Sequence, residues 1–163
     1  MRTYVAGGST LREACPACGT GLSSPTGRYE YRRHAPTVST RIDADAIAPA
    51  TARRALDRLE PRIGEDALDR LQLLISELVS NAVRHGDLPD GDSIALDVYL
   101  NGTALYAEVH DRGVGFSPSP PNLDPLRASG WGLWLLDQLT MRWGIDGSAG
   151  TTAWFEMQFA ASS

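Results

Sequence analysis

Residues 65–86, EDALDRLQLLISELVSNAVRHG, decide the fold predicted for this chain. Placed on a helix, Glu77, Asn81 and Arg84 follow one another at i, i+4 and i+7, so their polar heads form one row. Gly86 stands where a C′ glycine would end the helix. The stretch therefore predicts a long amphipathic helix with a carboxylate, a carboxamide and a guanidinium at the edge of its buried face. The apolar arc beside that row consists of Leu68, Leu71, Leu74, Ile75, Leu78, Val79, Ala82 and Val83.

The length and composition allow one globular domain and argue against several classes of protein. The chain has 163 residues, of which 42% are hydrophobic, and it can bury a core of ordinary size. Its net charge of −5 argues against a nucleic-acid binder that depends on neutralising phosphates. No apolar run approaches the about 20 residues of a membrane span, and MRTYVAGG lacks a signal-peptide core, so we expect a cytoplasmic protein without membrane association. All 15 basic residues are Arg, which excludes a P-loop lysine.

Residues 1–35 are predicted to form a flexible tail in front of a domain that spans residues 36–163. The tail is rich in Gly, Ser, Thr and Pro and shows little periodicity. Its charge of +3, against −8 for the remainder, would allow it to lie on the acidic domain. Cys15 and Cys18 form a CxxC pair, which supplies half the ligands of a structural zinc site. His34 could supply a third ligand, or two chains could share a metal. The favoured interpretation is a free dithiol in a flexible tail or the remnant of a lost site.

The predicted elements alternate between strands and helices in an order that suggests the fold class. They are a strand at 37–42, helices at 49–59 and 65–86, strands at 93–100 and 104–111, a proline-rich loop, a helix at 130–139, and strands at 142–145 and 151–159. Asn101-Gly102 is a strong signal for a type I′ hairpin turn between two of these strands. We therefore expect an α+β two-layer sandwich, in which a mixed, mostly antiparallel sheet is covered on one face by about three helices.

Three further features concern ligand binding. The strand at 104–111 ends in Asp111, which continues the inward apolar row, and a buried carboxylate costs free energy unless something pairs with it. Gly113 and Gly115 of the following DRGVGF permit close approach of the backbone. GWGL, residues 130–133, opens a helix whose N–H groups and dipole can bind an anion.

In their order and spacing, these motifs resemble the GHKL ATPase superfamily, which has the Bergerat fold and includes gyrase, Hsp90, histidine kinases and MutL. ELVSNAVRHG is similar to the N-box, DRGVGF to the first glycine box, GWGL to the second, and Gly150-Thr151 to the terminal glycine–threonine element. The resemblance covers residues 37 to 160 of the sequence. Within the superfamily, the chain looks most like the small stand-alone anti-sigma factor serine/threonine kinases of bacteria.

The resemblance implies a role for each matched residue, with ATP and Mg²⁺ as cofactors. Asn81 would bind the Mg²⁺ that bridges the phosphates, because a hard cation prefers oxygen ligands. Glu77 would be the general base that accepts a proton from a Ser/Thr hydroxyl or from water. Asp111 would accept a hydrogen bond from the adenine 6-amino group, with Thr151 near the adenine and Arg84 near the nucleotide.

The glycine boxes are expected to contact the nucleotide through the backbone. Gly113 and Gly115 would allow the first box to approach it closely. The residues of the second box would present their amides to the phosphates; these are Gly130, Trp131, Gly132 and Leu133.

The resemblance leaves more than one function open. The first is an ATP-dependent protein serine/threonine kinase that phosphorylates an antagonist protein and sequesters a sigma factor, so that the partners would be a sigma factor, an anti-sigma factor antagonist, or both. The alternative is a catalytically weak ATP-binding module that regulates a partner through lid conformation, because the lid is short and no lysine follows it. Glu77 favours the kinase.

The ATP-binding half of a histidine kinase is disfavoured, since no helix with a phosphoacceptor His precedes residue 37. Formation of a homodimer is left open.

Overall fold

The fold is built on one antiparallel sheet, seen in a computed structural model that describes residues 3–7, 31–113, 131–147 and 150–160. Six strands lie in the order β1-β5-β6-β4-β3-β2, and each neighbouring pair is antiparallel. The elements in chain order are β1 (Thr3–Gly7), β2 (Val38–Asp43), α1 (Ala48–Leu56), a 3₁₀ turn (Asp57–Leu59), α2 (Glu60–Ile63), α3 (Glu65–His85), β3 (Ser93–Asn101), β4 (Ala104–Asp111), α4 (Trp131–Leu139), β5 (Arg142–Asp146) and β6 (Thr151–Gln158).

The three longer helices α1, α3 and α4 and the inward side chains of the sheet form one core, which confirms the predicted α+β sandwich. The described part of the sheet contains only antiparallel pairs, so the expected mixed character does not occur there. The helices α1 to α3 connect β2 to its neighbour β3, and a short turn connects β3 to β4. These connections return the chain to the side of the sheet where the preceding strand ends, which permits antiparallel pairing.

The centre of the core is α3, as its periodicity predicts. Leu71, Leu74 and Ile75 are completely buried, and Val83 is partly buried at the margin. Burying a Leu or Ile side chain contributes about 1.5–3 kcal/mol, so this one face is a major source of stability. The inward rows of the strands meet it with Ile94, Leu96, Val98, Leu105, Ala107, Val109, Ala153, Phe155 and Met157.

The helical segment before α3 is longer than the pattern predicts. We expected it to end near Leu59, before Pro61, but a 3₁₀ turn and the short α2 continue it to Ile63. Pro61 occupies the first turn of α2, where the missing N–H would have no intrahelical partner. Gly64, with a φ of 81°, then ends α2 and redirects the chain into α3.

Glycines also shape the end of α3. Gly86 closes the helix but has a φ of −70°, in the right-handed region, so it is not the left-handed C′ glycine that we expected. The left-handed residue is Asp87, with a φ of 50°. Gly86 is needed for space: a Cβ there would collide with the Ala82 carbonyl oxygen, and a Cβ on Gly113 would collide with the Gly86 carbonyl oxygen. The chain after β4 therefore passes directly against the end of α3.

Two parts of the predicted tail belong to the fold. Thr3–Gly7 forms β1, which pairs with β5 and adds an edge strand that the sequence analysis did not predict. Tyr31 and Arg32 pack against the sheet. The prediction of a loosely held segment is therefore wrong for these residues. The rest of it, including Cys15 and Cys18, lies outside the described residues, and the boundary at residue 35 stays a prediction.

The sheet is also buried on the centre of its second face. On the face away from the helices, called here the outer face, Tyr99, Tyr106 and Trp154 form a second cluster, with Tyr31 packed against it. Glu108 and Glu156 on the same face are also buried, at 5% and 7% exposure. Within the described residues, none of the helices combines the length and the low polarity needed to cross a bilayer.

We expect Gly113→Ala to lower the free energy of unfolding by about 1–3 kcal/mol, the usual cost of overpacking, because the new Cβ would push β4 away from α3. Urea denaturation followed by circular dichroism measures this loss. Gly147→Ala is the matched control, since a Cβ there meets nothing within 4 Å and the φ is not left-handed. Equal stability of Gly113→Ala and the parent would contradict the close approach of the two elements.

Candidate nucleotide pocket

A pocket lies where the end of α3 meets the ends of β4 and β6. Its open volume, which includes space continuous with solvent, is about 270 Å³. Its wall is apolar on the helix and sheet sides, and its polar groups converge from three elements. The lining residues are Leu78, Asn81, Ala82, His85, Gly86, Val109, Asp111, Thr151 and Ala153.

Asp111 is the buried carboxylate of this pocket. It ends β4 on the inward parity, as expected, and is only 4% exposed. Its Oδ1 accepts a 2.8 Å hydrogen bond from the Gly113 N–H. Burial raises the pKa of the Asp111 carboxyl above its ordinary value of 3.8, and this effect outweighs the opposing hydrogen bond. The group is thus held in place by the backbone and desolvated at the same time.

Thr151 lies directly across from Asp111, as the first residue of β6. The residue is 3% exposed, and its Oγ1 has no hydrogen-bond partner among the described residues. The hydroxyl is near enough to favour the ionised form of Asp111 slightly, although it does not reach hydrogen-bonding geometry. A buried hydroxyl left without a partner costs free energy, so a bound ligand or water is expected to satisfy it.

Gly150 brings these two residues together. Its φ of 84° lies in the left-handed region, and a Cβ would collide with the Asp111 carbonyl oxygen. Only glycine therefore fits, for reasons of both conformation and space. The glycine that precedes Thr151 thus lets β6 begin tightly against the end of β4.

The polar row on α3 meets the pocket at some positions and not at others. Asn81 lines the pocket and is half-buried, whereas Arg84 is exposed and does not line it. Glu77 is half-buried one turn before Asn81, and it is not among the lining residues. The structure thus brings together Asn81, Asp111 and Thr151 of the expected site residues.

The remaining expected residues belong to the glycine boxes. Gly113 is buried beside Asp111, while Gly115 and Gly130 lie outside the described residues. Trp131, Gly132 and Leu133 form the first turn of α4, of which the structure describes the backbone. The other end of α4 is fixed by a 2.7 Å hydrogen bond from Trp143 Nε1 to Asp137 Oδ1.

A profile of the histidine kinase-like ATPase domain family matches residues 42–157. The chain belongs to this family. No curated protein gave a match. The family assignment confirms the resemblance to the GHKL superfamily, and it identifies the chain as an ATP-binding, kinase-like ATPase domain.

The lining residues of this pocket suit an adenine ring. Asp111 offers a fixed carboxylate to a hydrogen-bond donor, Thr151 offers a hydroxyl in need of a partner, and the wall between them is apolar. Adenine is a flat, apolar ring with polar groups at its edge, so its site needs an apolar wall with a few polar side chains beside it.

His85 is a lining residue that the sequence analysis did not place in the site. Its position four residues after Asn81 puts it in the same helical row, and this spacing was the available signal. The other lining residues that the sequence analysis did not place in the site are apolar residues and one glycine, and they are Leu78, Ala82, Gly86, Val109 and Ala153.

We expect Asp111→Asn to raise the melting temperature of the nucleotide-free domain at neutral pH. The amide can still accept from Gly113, but it carries no charge to desolvate. Because the folded-state pKa of Asp111 is raised, its protonated form stabilises the fold at low pH, and this contribution is lost as pH rises through that pKa. The gain from Asp111→Asn should therefore vanish towards pH 3.8 and grow above it.

Thermal unfolding over a pH series, without nucleotide, measures this difference. Asp43→Asn is the control, since Asp43 also ends a strand but is exposed. A lower melting temperature of Asp111→Asn at neutral pH would show that the ionised carboxylate stabilises the fold.

Proposed function

We propose that this ATPase domain is a regulatory protein serine/threonine kinase that transfers the γ-phosphate of ATP to a protein substrate, in the manner of the anti-sigma factor kinases it resembles. The observation that carries the proposal is the convergence of Asn81, Asp111 and Thr151 on one pocket, with Glu77 one helical turn from Asn81. Together these residues offer a base-recognition end, a metal-binding oxygen and a carboxylate.

Adenine recognition would depend on Asp111. The 6-amino group of adenine donates hydrogen bonds, so a carboxylate accepts from it, whereas guanine has a carbonyl oxygen at the same position and would be repelled. The hydrogen bond from Gly113 holds the carboxyl in a fixed orientation before the nucleotide binds. The Thr151 hydroxyl would supply a second polar contact at the same end of the pocket.

The phosphates would lie towards Asn81 and the start of α4. Helix N-termini bind phosphate through free N–H groups and the helix dipole, and Trp131, Gly132 and Leu133 occupy the first turn of α4. No group of three or more His, Cys, Asp or Glu side chains suited to a metal ion occurs within the described residues. Asn81 suits Mg²⁺, because this ion binds through one or two protein oxygens together with phosphates and water. Bound Mg²⁺ would neutralise the charge of the phosphates.

Glu77 would act as the general base. A proton must leave the attacking Ser or Thr hydroxyl as its oxygen bonds to the γ-phosphorus, and a carboxylate beside the phosphate-binding region can accept it. Glu77 is only half-buried, so an incoming protein side chain can reach it from solvent. The bond from the γ-phosphorus to the bridging oxygen then breaks, and ADP leaves.

The second candidate function is an ATP-binding module with little turnover, which regulates a partner through the lid conformation. One observation favours it: Glu77 does not line the pocket that holds Asn81 and Asp111. Nucleotide binding needs only those two residues, whereas phosphoryl transfer also requires the base to reach the substrate.

For either function, the proposed partner is a sigma factor, an anti-sigma factor antagonist, or both. The net charge of −5 supports a protein partner over a nucleic acid. A homodimer is compatible with both candidates.

Nucleotide binding is expected to be selective for adenine and to depend on Asp111. Asp111→Asn should weaken ATP binding by about 1.5–3 kcal/mol, the range for a hydrogen bond to a charged group. Titration calorimetry with ATP and GTP measures both effects, with Asp43→Asn as the control that changes an exposed carboxylate. Equal affinity of the parent for ATP and GTP would contradict the assignment of Asp111.

The role of Glu77 separates the two candidates. Glu77→Gln keeps the size of the side chain but removes the basic oxygen, so ATP binding should stay nearly normal while phosphoryl transfer falls by about 10²–10⁴-fold. Asn81→Ala should lose both. Radiolabelled ATP with candidate antagonist proteins, analysed for phosphoserine, measures transfer, and Glu65→Gln at the exposed start of α3 is the control.

Two results would change the proposal. If the parent binds ATP and a sigma factor but phosphorylates no candidate, the binding module is the correct function. If Glu77→Gln also abolishes ATP binding, Glu77 has a structural role.

A further inference from the structure

The outer face of the sheet contains a recess that combines aromatic rings with a buried acid. Its walls are Tyr99, Tyr106 and Trp154, with Tyr106 stacked on Trp154 at 6.1 Å between ring centroids. Glu108 lies within it and accepts a 2.7 Å hydrogen bond from the Tyr106 hydroxyl. These four residues are called here the aromatic–acid recess. It lies on the face of β4 opposite to the one that leads to the nucleotide pocket.

Two consecutive residues of the chain's own N-terminal segment fill this recess. The Tyr31 ring stacks on Tyr106 at 5.3 Å, with 16° between the ring planes. The Arg32 guanidinium donates from Nη2 to both oxygens of Glu108, at 2.9 Å and 2.8 Å, and from Nε at 3.1 Å. A planar guanidinium matches a carboxylate in this forked geometry, which an ammonium group cannot reproduce.

The recess is built to bind a cation. Glu108 is 5% exposed, and a buried carboxylate is costly unless a cation or several donors face it. The pKa of the Tyr99 hydroxyl is raised, first by burial and then by the negative charges of Glu108 and Asp97. The surroundings therefore carry negative potential, which favours an arginine beside an aromatic ring over an apolar side chain alone.

The Tyr31–Arg32 pair is attached in a way that permits exchange. The Arg32 side chain is 45% exposed, so water reaches the ion pair from one side. The pair lies in a turn outside the strands of the sheet, in which the His34 N–H donates to the Tyr31 carbonyl. By contrast, the ion pair of Arg142 with Glu156 joins two paired strands, β5 and β6.

We propose that the aromatic–acid recess is a docking site for a protein segment in which an aromatic residue is followed directly by arginine, and that Tyr31–Arg32 occupies it until such a partner binds. The ring of the partner would take the place of Tyr31 on Tyr106, and its guanidinium would take the two oxygens of Glu108. This site is separate from the nucleotide pocket, so the proposal does not rest on kinase activity.

The test uses the full chain with Tyr31→Ala and Arg32→Ala combined, and a fluorescent peptide with the sequence of residues 29–35, YEYRRHA. Fluorescence anisotropy should show binding to the double variant, and at least about tenfold weaker apparent binding to the parent, whose recess is already occupied. Adding Glu108→Gln to the double variant should abolish binding. Adding Asp43→Asn should leave it nearly unchanged, because Asp43 is an exposed acid at the end of the edge strand β2.

The peptide itself offers a second control, in which both arginines are replaced by lysine. This peptide keeps the charge but lacks the planar guanidinium that donates to both carboxylate oxygens, and it should bind more weakly than the parent peptide. If the double variant does not fold by circular dichroism, Arg32→Ala alone replaces it. Glu108 is then open to the guanidinium of the peptide, so binding should still exceed binding to the parent, although the Tyr31 ring competes for the aromatic wall. An absence of peptide binding to a folded variant, or equal binding after Glu108→Gln, would overturn the proposal.

Discussion

The close approach of Gly113 to the Gly86 carbonyl is the constraint on which the site depends. It fixes the end of α3 against the chain that leaves β4, so that side chains from the two elements face one pocket. The same approach places the Gly113 N–H on the Asp111 carboxyl at 2.8 Å. A larger residue at Gly113 would separate the helix from the strand, and with them the Asn81 side of the pocket from the Asp111 side.

This arrangement holds Asp111 in a state that favours ligand binding over stability. Burial raises the pKa of its carboxyl, so the ionised form is less stable there than in water. The opposite Thr151 hydroxyl also lacks a partner among the described residues. Both costs are relieved when a ligand brings hydrogen-bond donors and acceptors into the pocket, which is a common reason for local instability at binding sites.

The sequence was sufficient for the features that depend on periodicity. The apolar arc of α3 and the inward parity of Asp111 follow from local spacing, and both were correct. The outer face was missed because Tyr106, Glu108 and Glu156 alternate with the core row, as the solvent-facing residues of an amphipathic strand would. Tyr31 stacks on Tyr106 and Arg32 pairs with Glu108, both across a large sequence separation, while Glu156 pairs with Arg142 of the neighbouring strand. The role of Gly86 was misjudged for a different reason: its φ is right-handed, and glycine is needed there because a Cβ would collide with the Ala82 carbonyl oxygen.

The two carboxylates of β4 show how one strand can serve two purposes. Asp111 and Glu108 are both buried, on opposite faces of the same strand. Glu108 faces a guanidinium that is part of the chain, whereas no arginine of the described residues pairs with Asp111. A buried acid with its own cation is neutralised and orders the segment that carries the cation. A buried acid without one retains its capacity to accept hydrogen bonds, which suits the inner face of β4 to the proposed recognition of a ligand amino group.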